Sequence, residues 1–497
     1  MSGLDGIRNL SSAVRYYANK QPNKTYVISN GKHYSYNQVN NFINRACSQY
    51  RSLGVKKGDI VSAVLRNDIE YIVMYLASLR YGAVFNPYPY TLDAKDIARY
   101  LTNVRPKVLL CQKRHYDELR TSSQYITCLV EGDFIESSCS VVAPWDDFVP
   151  ADNSPACLYY SSGTTGNPKN VLFSFRNMVA NISSVVRGFR FDENDIFLVV
   201  LPLGHTAAIN YSFLPCTFCG ATMVLTESFW KIRPSFWSLV KQFQVTYVEL
   251  VPSILLALLN TPYSEEEYAN IDSLRFIGCG SSTLPQERQI QFMEEYGVKV
   301  ANLYGLSETG PTHIDYPLDK SWVPGSIGVP LDVNEVRIMD EEDHILSTGE
   351  IGEIVVKGGN VFIDYYGNSK MYRQVVRNEY FHTGDLGYIE LNSNHYFVGR
   401  KKELIIKGGV NIAPDEIDEI LYKIDKVAEA ITVGKPDKYL GERIVSHIVL
   451  KEGSKLIKED VLAHCRKYLS RNKIPDEIEF VDSIPKGHSG KLLRRRM

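Results

Sequence analysis

The chain has 497 residues, 55 Lys+Arg against 57 Asp+Glu, and a formal net charge of −2. That length, with 44% hydrophobic and 23% charged residues, excludes a disordered or fibrous chain and predicts more than one domain. The near-neutral balance gives no footing for nucleic acid or an anionic membrane as a partner.

The nine cysteines (47, 111, 128, 139, 157, 216, 219, 279 and 465) are odd in number and scattered, and the polar start from Met1 to Asn9 lacks an apolar signal core. Both features point to a reduced, cytoplasmic protein. Cys216 and Cys219 have redox or zinc spacing, but no second Cys or His pair accompanies them, so buried thiols are expected. Ile196 to Thr226 carries no Asp, Glu, Lys or Arg, yet Pro202, Gly204, His205, Asn210, Pro215 and Gly220 interrupt it. A strand–loop–helix–strand passage explains it better than a membrane span, which needs about 20 mainly apolar residues.

In chain order, Ile60 to Leu65 reads as a buried strand. Tyr71 to Arg80 reads as a helix with Ile72, Tyr75, Leu76 and Leu79 at helical spacing, ended by Gly82. Strands follow at Val84–Asn86 and Val108–Cys111. The pattern repeats after Asn153, with strands at Ala156–Tyr160, Ile196–Leu201, Thr222–Leu225, Tyr247–Leu250, Arg275–Ile277 and Lys299–Leu303 and helical stretches between them. The alternation predicts layered α/β architecture. From about 325 to 398 short strands and turns predominate, which predicts a β-rich subdomain. Residues 401–497 hold 20 Lys+Arg against 16 Asp+Glu, leaving 35 against 41 in the rest. That shift fits a small, separately folded C-terminal domain.

Four segments carry candidate chemistry. Tyr160-Ser161-Ser162-Gly163-Thr164-Thr165-Gly166-Asn167-Pro168-Lys169-Asn170 follows an apolar strand and puts four hydroxyls and two glycines in six residues. Its backbone N–H groups can surround an anion, with Lys169 adding a charge. It lacks the Lys-Ser/Thr pair of a Walker A loop, and a surface turn is the competing reading. Tyr304-Gly305-Leu306-Ser307-Glu308-Thr309-Gly310 also follows a strand, where α/β sheets place ligands. Glu308 there suits Mg²⁺ beside phosphates, or is simply a solvated loop residue. In Phe381-His382-Thr383-Gly384-Asp385-Leu386-Gly387, Asp385 can accept from two ribose hydroxyls or close an Asx turn. Finally, Lys491 sits in a Gly/Ser turn close to a basic end.

Together, in this order, the segments resemble one family: the adenylate-forming enzymes, which include acyl- and aryl-CoA synthetases, coumarate-CoA ligases, adenylation domains of peptide synthetases and beetle luciferases. The resemblance runs from about Leu76 to Lys491.

It implies an α/β N-terminal core over residues 1–399 made of two α/β subdomains and the β-rich one. A hinge at 400–402 with Lys402 as pivot would lead to a mobile α+β lid over 403–497. It also implies an ATP-dependent acid–thiol ligase that forms an acyl-AMP, releases pyrophosphate, and passes the acyl group to CoA or a carrier-protein phosphopantetheine. Position by position, Ser161, Ser162, Gly163, Thr164, Thr165, Gly166 and Lys169 would hold the β- and γ-phosphates. Ser307 and Glu308 would contact phosphate and Mg²⁺, with Thr164 as a further metal ligand. Ser281, Ser282, Thr283 and Tyr304 would frame adenine, with Gly305 also at the nucleotide, while Asp385 and Arg400 would take the ribose. Lys491 would bridge the carboxylate and the α-phosphate, with His205 nearby, and Gly408 and Gly409 would line the pantetheine tunnel.

Ala208, Ile209, Tyr211, Cys279, Thr309 and Thr312 would wall a mostly apolar acid pocket. Without a Phe-Asp pair in that segment an α-amino acid is disfavoured, and Tyr211 stands where coumarate-type ligases keep a small residue. An aryl or short-to-medium acyl acid is expected. Asn170 replaces the usual glycine that closes the phosphate loop, a change expected to be tolerated through a left-handed backbone. Phe175 takes the place of a frequent histidine, and Asp364 stands near a usual glycine. A luciferase-like monooxygenase is the alternative, disfavoured by Ile406 where luciferases keep a lysine and by the absence of a Ser-Lys-Leu end. A non-catalytic nucleotide-binding relative is disfavoured by the retained Lys491, Glu308 and Asp385.

Overall fold

The computed structural model describes residues 4, 6–120, 124–130, 144–161, 169–486, 494 and 497. Two seven-stranded sheets form the large N-terminal domain. The first runs Val300–Leu303, Phe276–Gly280, Tyr247–Leu250, Ile196–Val199, Thr222–Leu225, Thr25–Ser29, Lys32–Ser35. All its pairings are parallel except the terminal hairpin of Thr25–Ser29 with Lys32–Ser35. The second runs Asp364–Tyr365, Lys169–Ser174, Pro155–Ser161, Val84–Pro87, Ile60–Val64, Val108–Cys111, Ile126–Leu129, and both pairings of Lys169–Ser174 are antiparallel. The α/β alternation is borne out, with the expected strands present to within two residues at their starts and three at their ends.

The helix Ile69–Tyr81 explains how the sheets become one body. It is apolar nearly all round, as a fully buried helix must be. Its tyrosines reach the second sheet and the segment that follows strand Ile196–Val199 of the first: Tyr75 hydroxyl lies 2.8 Å from Tyr159 hydroxyl, and Tyr71 donates to Leu203 O and packs edge-on against Phe213. Gly82 ends it at φ +85°, and an added Cβ would come within 2.7 Å of the Phe148 ring. Only glycine satisfies both demands.

The β-rich unit is a five-stranded antiparallel sheet of Asn334–Met339, Gly352–Gly358, Tyr380–Ile389, Val376–Arg377 and His395–Arg400. The seven-residue helix Ser369–Val375 is its longest helix, in keeping with the sequence pattern. The chain changes sheets between Arg400 and Ile405. Ile405–Lys407 pairs with Val410–Ile412 and with Gly441–Leu450 in the small C-terminal domain. That domain has its own core around Ile417, Leu421, Ile444, Ile448 and Val461, which Leu256 of the large domain joins.

Ile196 to Thr226 folds as a strand, the π-helix Ala208–Phe213, the helix Leu214–Cys219 and a further strand. Among the described residues no helix is long and apolar enough to cross a membrane. Cys216 and Cys219 are free and fully buried, and burial pushes both thiols above the usual range. The left-handed backbone expected at Asn170 is not found: Asn170 lies inside the strand Lys169–Ser174, opposite Tyr160, and needs no such conformation.

Near the chain end Arg494 is half-buried in the small domain against three carboxylates, Asp418 at 2.7 Å, Asp415 at 2.8 Å and Glu403 at 3.4 Å, and donates to Thr432 O at 2.7 Å. Removing the cation leaves like charges packed together, a change that costs about 3–5 kcal/mol. Arg494→Met is therefore expected to speed backbone hydrogen exchange in the helix Pro414–Tyr422 by at least about a hundredfold while exchange in Ile69–Tyr81 stays unchanged. Equal protection in both proteins would show that the cluster does not hold the small domain.

Candidate active site

The parallel strands of the first sheet end on one side, and most candidate residues lie just past those ends. Strand Ile196–Val199 leads to His205 and the π-helix, Phe276–Gly280 to Ser281–Thr283, and Val300–Leu303 to Tyr304. The second sheet contributes Ser161 and Lys169, which pair across adjacent strands. Ser162, Gly163, Thr164, Thr165, Gly166 and Lys491 lie outside the described residues.

Two polar clusters stand at opposite ends of one turn. At its start, Tyr304 hydroxyl donates to Asp385 Oδ2 at 2.9 Å, and Arg400 Nε lies 3.3 Å from Asp385 Oδ1. Asp385 and Arg400 face each other on adjacent strands, and Thr383 Oγ1 accepts from Asp385 N at 3.0 Å. Burial, then the Asp385 charge, holds the Tyr304 phenol well above its usual range. Burial works against the Arg400 charge, but Asp385 and Glu403 outweigh it and keep the guanidinium more firmly protonated than usual.

Four residues on, Glu308 is buried, and its Oε1 accepts from Tyr365 hydroxyl at 2.8 Å. Lys169 Nζ donates to Tyr365 hydroxyl at 3.4 Å, sits over its ring at 5.0 Å, and lies 3.9 Å from Glu308 Oε1. Between the clusters Gly305 lets the turn close: an added Cβ would meet Gly310 O at 2.4 Å. Ser307 lies in the turn, half-buried.

The expected acid-pocket residues are all buried. Ala208, Ile209 and Tyr211 lie on the π-helix, a form frequent at functional sites. Tyr211 hydroxyl donates to Tyr304 O at 3.0 Å, and Thr312 N donates to the same oxygen at 3.2 Å. Thr309 Oγ1 donates to Gly310 O at 2.8 Å. Cys279 is enclosed, and burial, then Glu249, pushes its thiol above the usual range. Glu249 itself accepts from Ser212 Oγ at 3.0 Å, and burial lifts its carboxyl to about 8. His205 opens the π-helix segment just after Gly204, where an added Cβ would meet the Pro89 backbone at 2.5 Å.

Ser281 is exposed at φ +68°, and Ser282 is half-buried. Thr283 hydroxyl donates to Asp415 Oδ1 at 2.8 Å, so the adenine segment is met by the small domain. Lys402 is exposed on the short 3₁₀ turn Lys401–Glu403. Gly408 and Gly409 form an exposed two-residue hairpin turn at φ +59° and +80°, where Gly408 N donates to Leu440 O at 2.7 Å inside the small domain. They lie on a different sheet from the two clusters. Residues absent from the expectations are Tyr365, Thr383, Asp415 and Glu249. Tyr365 lay in the segment where only its neighbour Asp364 drew notice. Thr383 lay in the segment Phe381–Gly387, where only Asp385 drew notice, while Asp415 and Glu249 carry no local motif.

The geometry defines a class: a large α/β domain with a nucleotide-type site at strand ends, faced by a small C-terminal domain. The AMP-binding enzyme profile matches residues 14–366, and the profile of the AMP-binding enzyme C-terminal domain matches residues 416–491. The chain is 29% identical to an oxalate–CoA ligase of Arabidopsis thaliana, over 98% of this chain and 97% of the relative. It is 30% identical to a sulfoacetate–CoA ligase of Cupriavidus necator, over 98% and 97%. Its structure is similar to that of ATP-bound MatB from Rhodopseudomonas palustris, with a TM-score of 0.91, 25% identity, and coverage of 98% of this chain and 97% of that one. The chain belongs to the AMP-binding enzyme family; it is an adenylate-forming ligase of the acid–thiol type. The monooxygenase alternative is not favoured, because the relatives are CoA ligases.

Behind Tyr304, His313 Nε2 and His395 Nδ1 lie 2.9 Å apart, and Thr312 Oγ1 lies 2.9 Å from His313 Nδ1. Burial lowers both imidazoles, His395 to about 4 and His313 well below its usual range. Both are neutral in the folded protein near pH 7. Their stabilisation is present above the unfolded value of about 6.5 and is lost as pH falls from there towards 4. Denaturant unfolding at pH 7.5 and pH 5 is expected to show a loss on the order of 2 kcal/mol per histidine. His395→Asn is expected to flatten that dependence, and an identical pH slope in the variant would contradict the assignment.

Proposed function

We propose that this enzyme activates a short or aryl carboxylic acid with ATP and transfers the acyl group to the thiol of CoA. One observation carries the reading. A single turn, Tyr304 to Glu308, has a nucleoside-type cluster at one end and a phosphate-type cluster at the other. On this reading Asp385 and Arg400 take the ribose, Tyr304 and the Ser281–Thr283 segment flank adenine, and Lys169 with the loop from Ser161 takes the β- and γ-phosphates.

In the first step a carboxylate oxygen bonds to the α-phosphorus as the bond to pyrophosphate breaks. Lys491 offsets the negative charge of both partners, and His205 stands near the acid. In the second step the thiolate attacks the acyl carbon, the bond to the AMP oxygen breaks, and the thiol proton passes to solvent. A closed, dry site protects the adenylate from water between the steps. Lys402 is the proposed pivot that brings the Gly408–Gly409 turn to the site for the second step; carrier-bound phosphopantetheine is the alternative acceptor, and the cytoplasm the proposed compartment.

The donor set suits Mg²⁺. Among the described residues no group of three or more His, Cys, Asp or Glu could hold a metal by itself. Glu308, with Thr164, would hold the ion jointly with phosphate oxygens, as Mg²⁺ prefers. The ion would supply charge neutralisation on the leaving pyrophosphate.

The short pocket is argued from Tyr211. It is buried, and its phenol is fixed to Tyr304 O, so its ring occupies depth that a longer acid would need. Oxalate and sulfoacetate, named for two relatives, are small acids. ATP-dependent pyrophosphate release across benzoates, cinnamates, C2–C14 fatty acids and amino acids is expected to give one class of winner, lost in Lys491→Ala with ATP binding retained. Activity that survives in Lys491→Ala would refute that role. Tyr211→Ala is expected to shift kcat/KM about 10- to 100-fold towards larger acids. An unchanged acid profile would remove Tyr211 from the pocket.

A further inference from the structure

The segment 362–366 straps together two pieces of the site that are remote in sequence. Phe362 N donates to Glu308 O at 2.9 Å, and Tyr366 N donates to Asn170 O at 2.8 Å. Asp364 and Tyr365 pair with Leu172 and Val171 on the strand that begins at Lys169. The strap thus holds the backbones carrying Glu308 and Lys169 at a fixed separation. At its centre the Tyr365 ring is buried against Phe362, with centroids 4.7 Å apart. Its hydroxyl touches both functional side chains, donating to the carboxylate and accepting from the ammonium.

Without that hydroxyl, Lys169 and Glu308, already an ion pair at 3.9 Å, would be free to close into direct hydrogen-bond contact. Such a contact would turn the ammonium away from substrate phosphates and neutralise the carboxylate. An inserted neutral donor–acceptor keeps the two charges apart and each oriented. We propose that Tyr365 is a positioning residue for adenylation, holding Glu308 and Lys169 apart and aimed at the triphosphate. This rests on the phosphate-site reading of those two residues given above.

Tyr365→Phe removes the hydroxyl and keeps the ring. A hydrogen bond to a charged group supports a loss of about ten- to a hundredfold in kcat for acid-dependent pyrophosphate release. The KM for the acid is expected to change less than about twofold, and the melting temperature to stay close to wild type. Tyr366→Phe, which deletes the neighbouring exposed hydroxyl, is expected to match wild type. Tyr365→Phe combined with Glu308→Gln is expected to be little worse than Glu308→Gln alone, because the two act as a unit. If Glu308→Gln is impaired but Tyr365→Phe is not, or the two losses multiply, the positioning role is wrong. A kcat loss matched by a rise in the acid KM and a fall in melting temperature would likewise overturn it, leaving a structural residue. Wild-type activity in Glu308→Gln would instead overturn the phosphate-site reading itself.

Discussion

A carboxylate taken out of water costs several kcal/mol unless it is paired and hydrogen-bonded, and Asp385 is 4% exposed. Its partners come from separate parts of the chain. Tyr304 follows the last strand of the first sheet, and Arg400 ends the last strand before the small domain. Satisfying one buried charge therefore fixes the large sheet, the β-rich sheet and the point where the small domain begins relative to one another. On the proposed reading a nucleotide sugar would meet a site organised before it arrives, so little binding energy would be lost in ordering the protein.

The small domain touches the large one through polar contacts near the same place. Thr283 donates to Asp415 at 2.8 Å and Gln286 N to Glu419 Oε2 at 3.2 Å, while the Arg288 guanidinium lies over the Tyr422 ring at 5.5 Å. Among the described residues, Leu256 is the one buried large-domain residue in the small domain's apolar core, with the partly buried Leu259 packed against it. A contact built from hydrogen bonds, each worth about 1 kcal/mol net, can be exchanged for another at low cost. An apolar interface of the same area would not allow that exchange so readily. Inside the small domain the opposite holds: Arg494 and its three carboxylates fix the chain end firmly to the helix Pro414–Tyr422.

The sequence disclosed what repeats or is spaced. Parallel core strands such as Ile196–Val199 are short apolar runs, and site segments follow them. Helix Ile69–Tyr81 was legible through its apolar spacing and Gly82. The strand Lys169–Ser174 was not, since a polar loop precedes it and its register is set by Pro155–Ser161 on one side and Asp364–Tyr365 on the other. The same long-range pairing explains why Asn170 is extended and why Tyr365 escaped notice. The hydroxyl of Tyr365 acquires a role only when a residue 196 positions away and another 57 away are brought to it. Glu249 was hidden for a related reason: nothing in a strand sequence tells which carboxyl will be buried against a serine on a neighbouring π-helix.

The central claim is that a carboxylate oxygen of the acid bonds to the α-phosphorus of ATP. It is tested most directly with an acid labelled with ¹⁸O in its carboxylate, turned over with ATP and CoA, followed by mass spectrometry of the nucleotide product. The account predicts AMP carrying one ¹⁸O and unlabelled pyrophosphate. Label in inorganic phosphate, with ADP as the nucleotide product, would place the attack at the γ-phosphorus and contradict it.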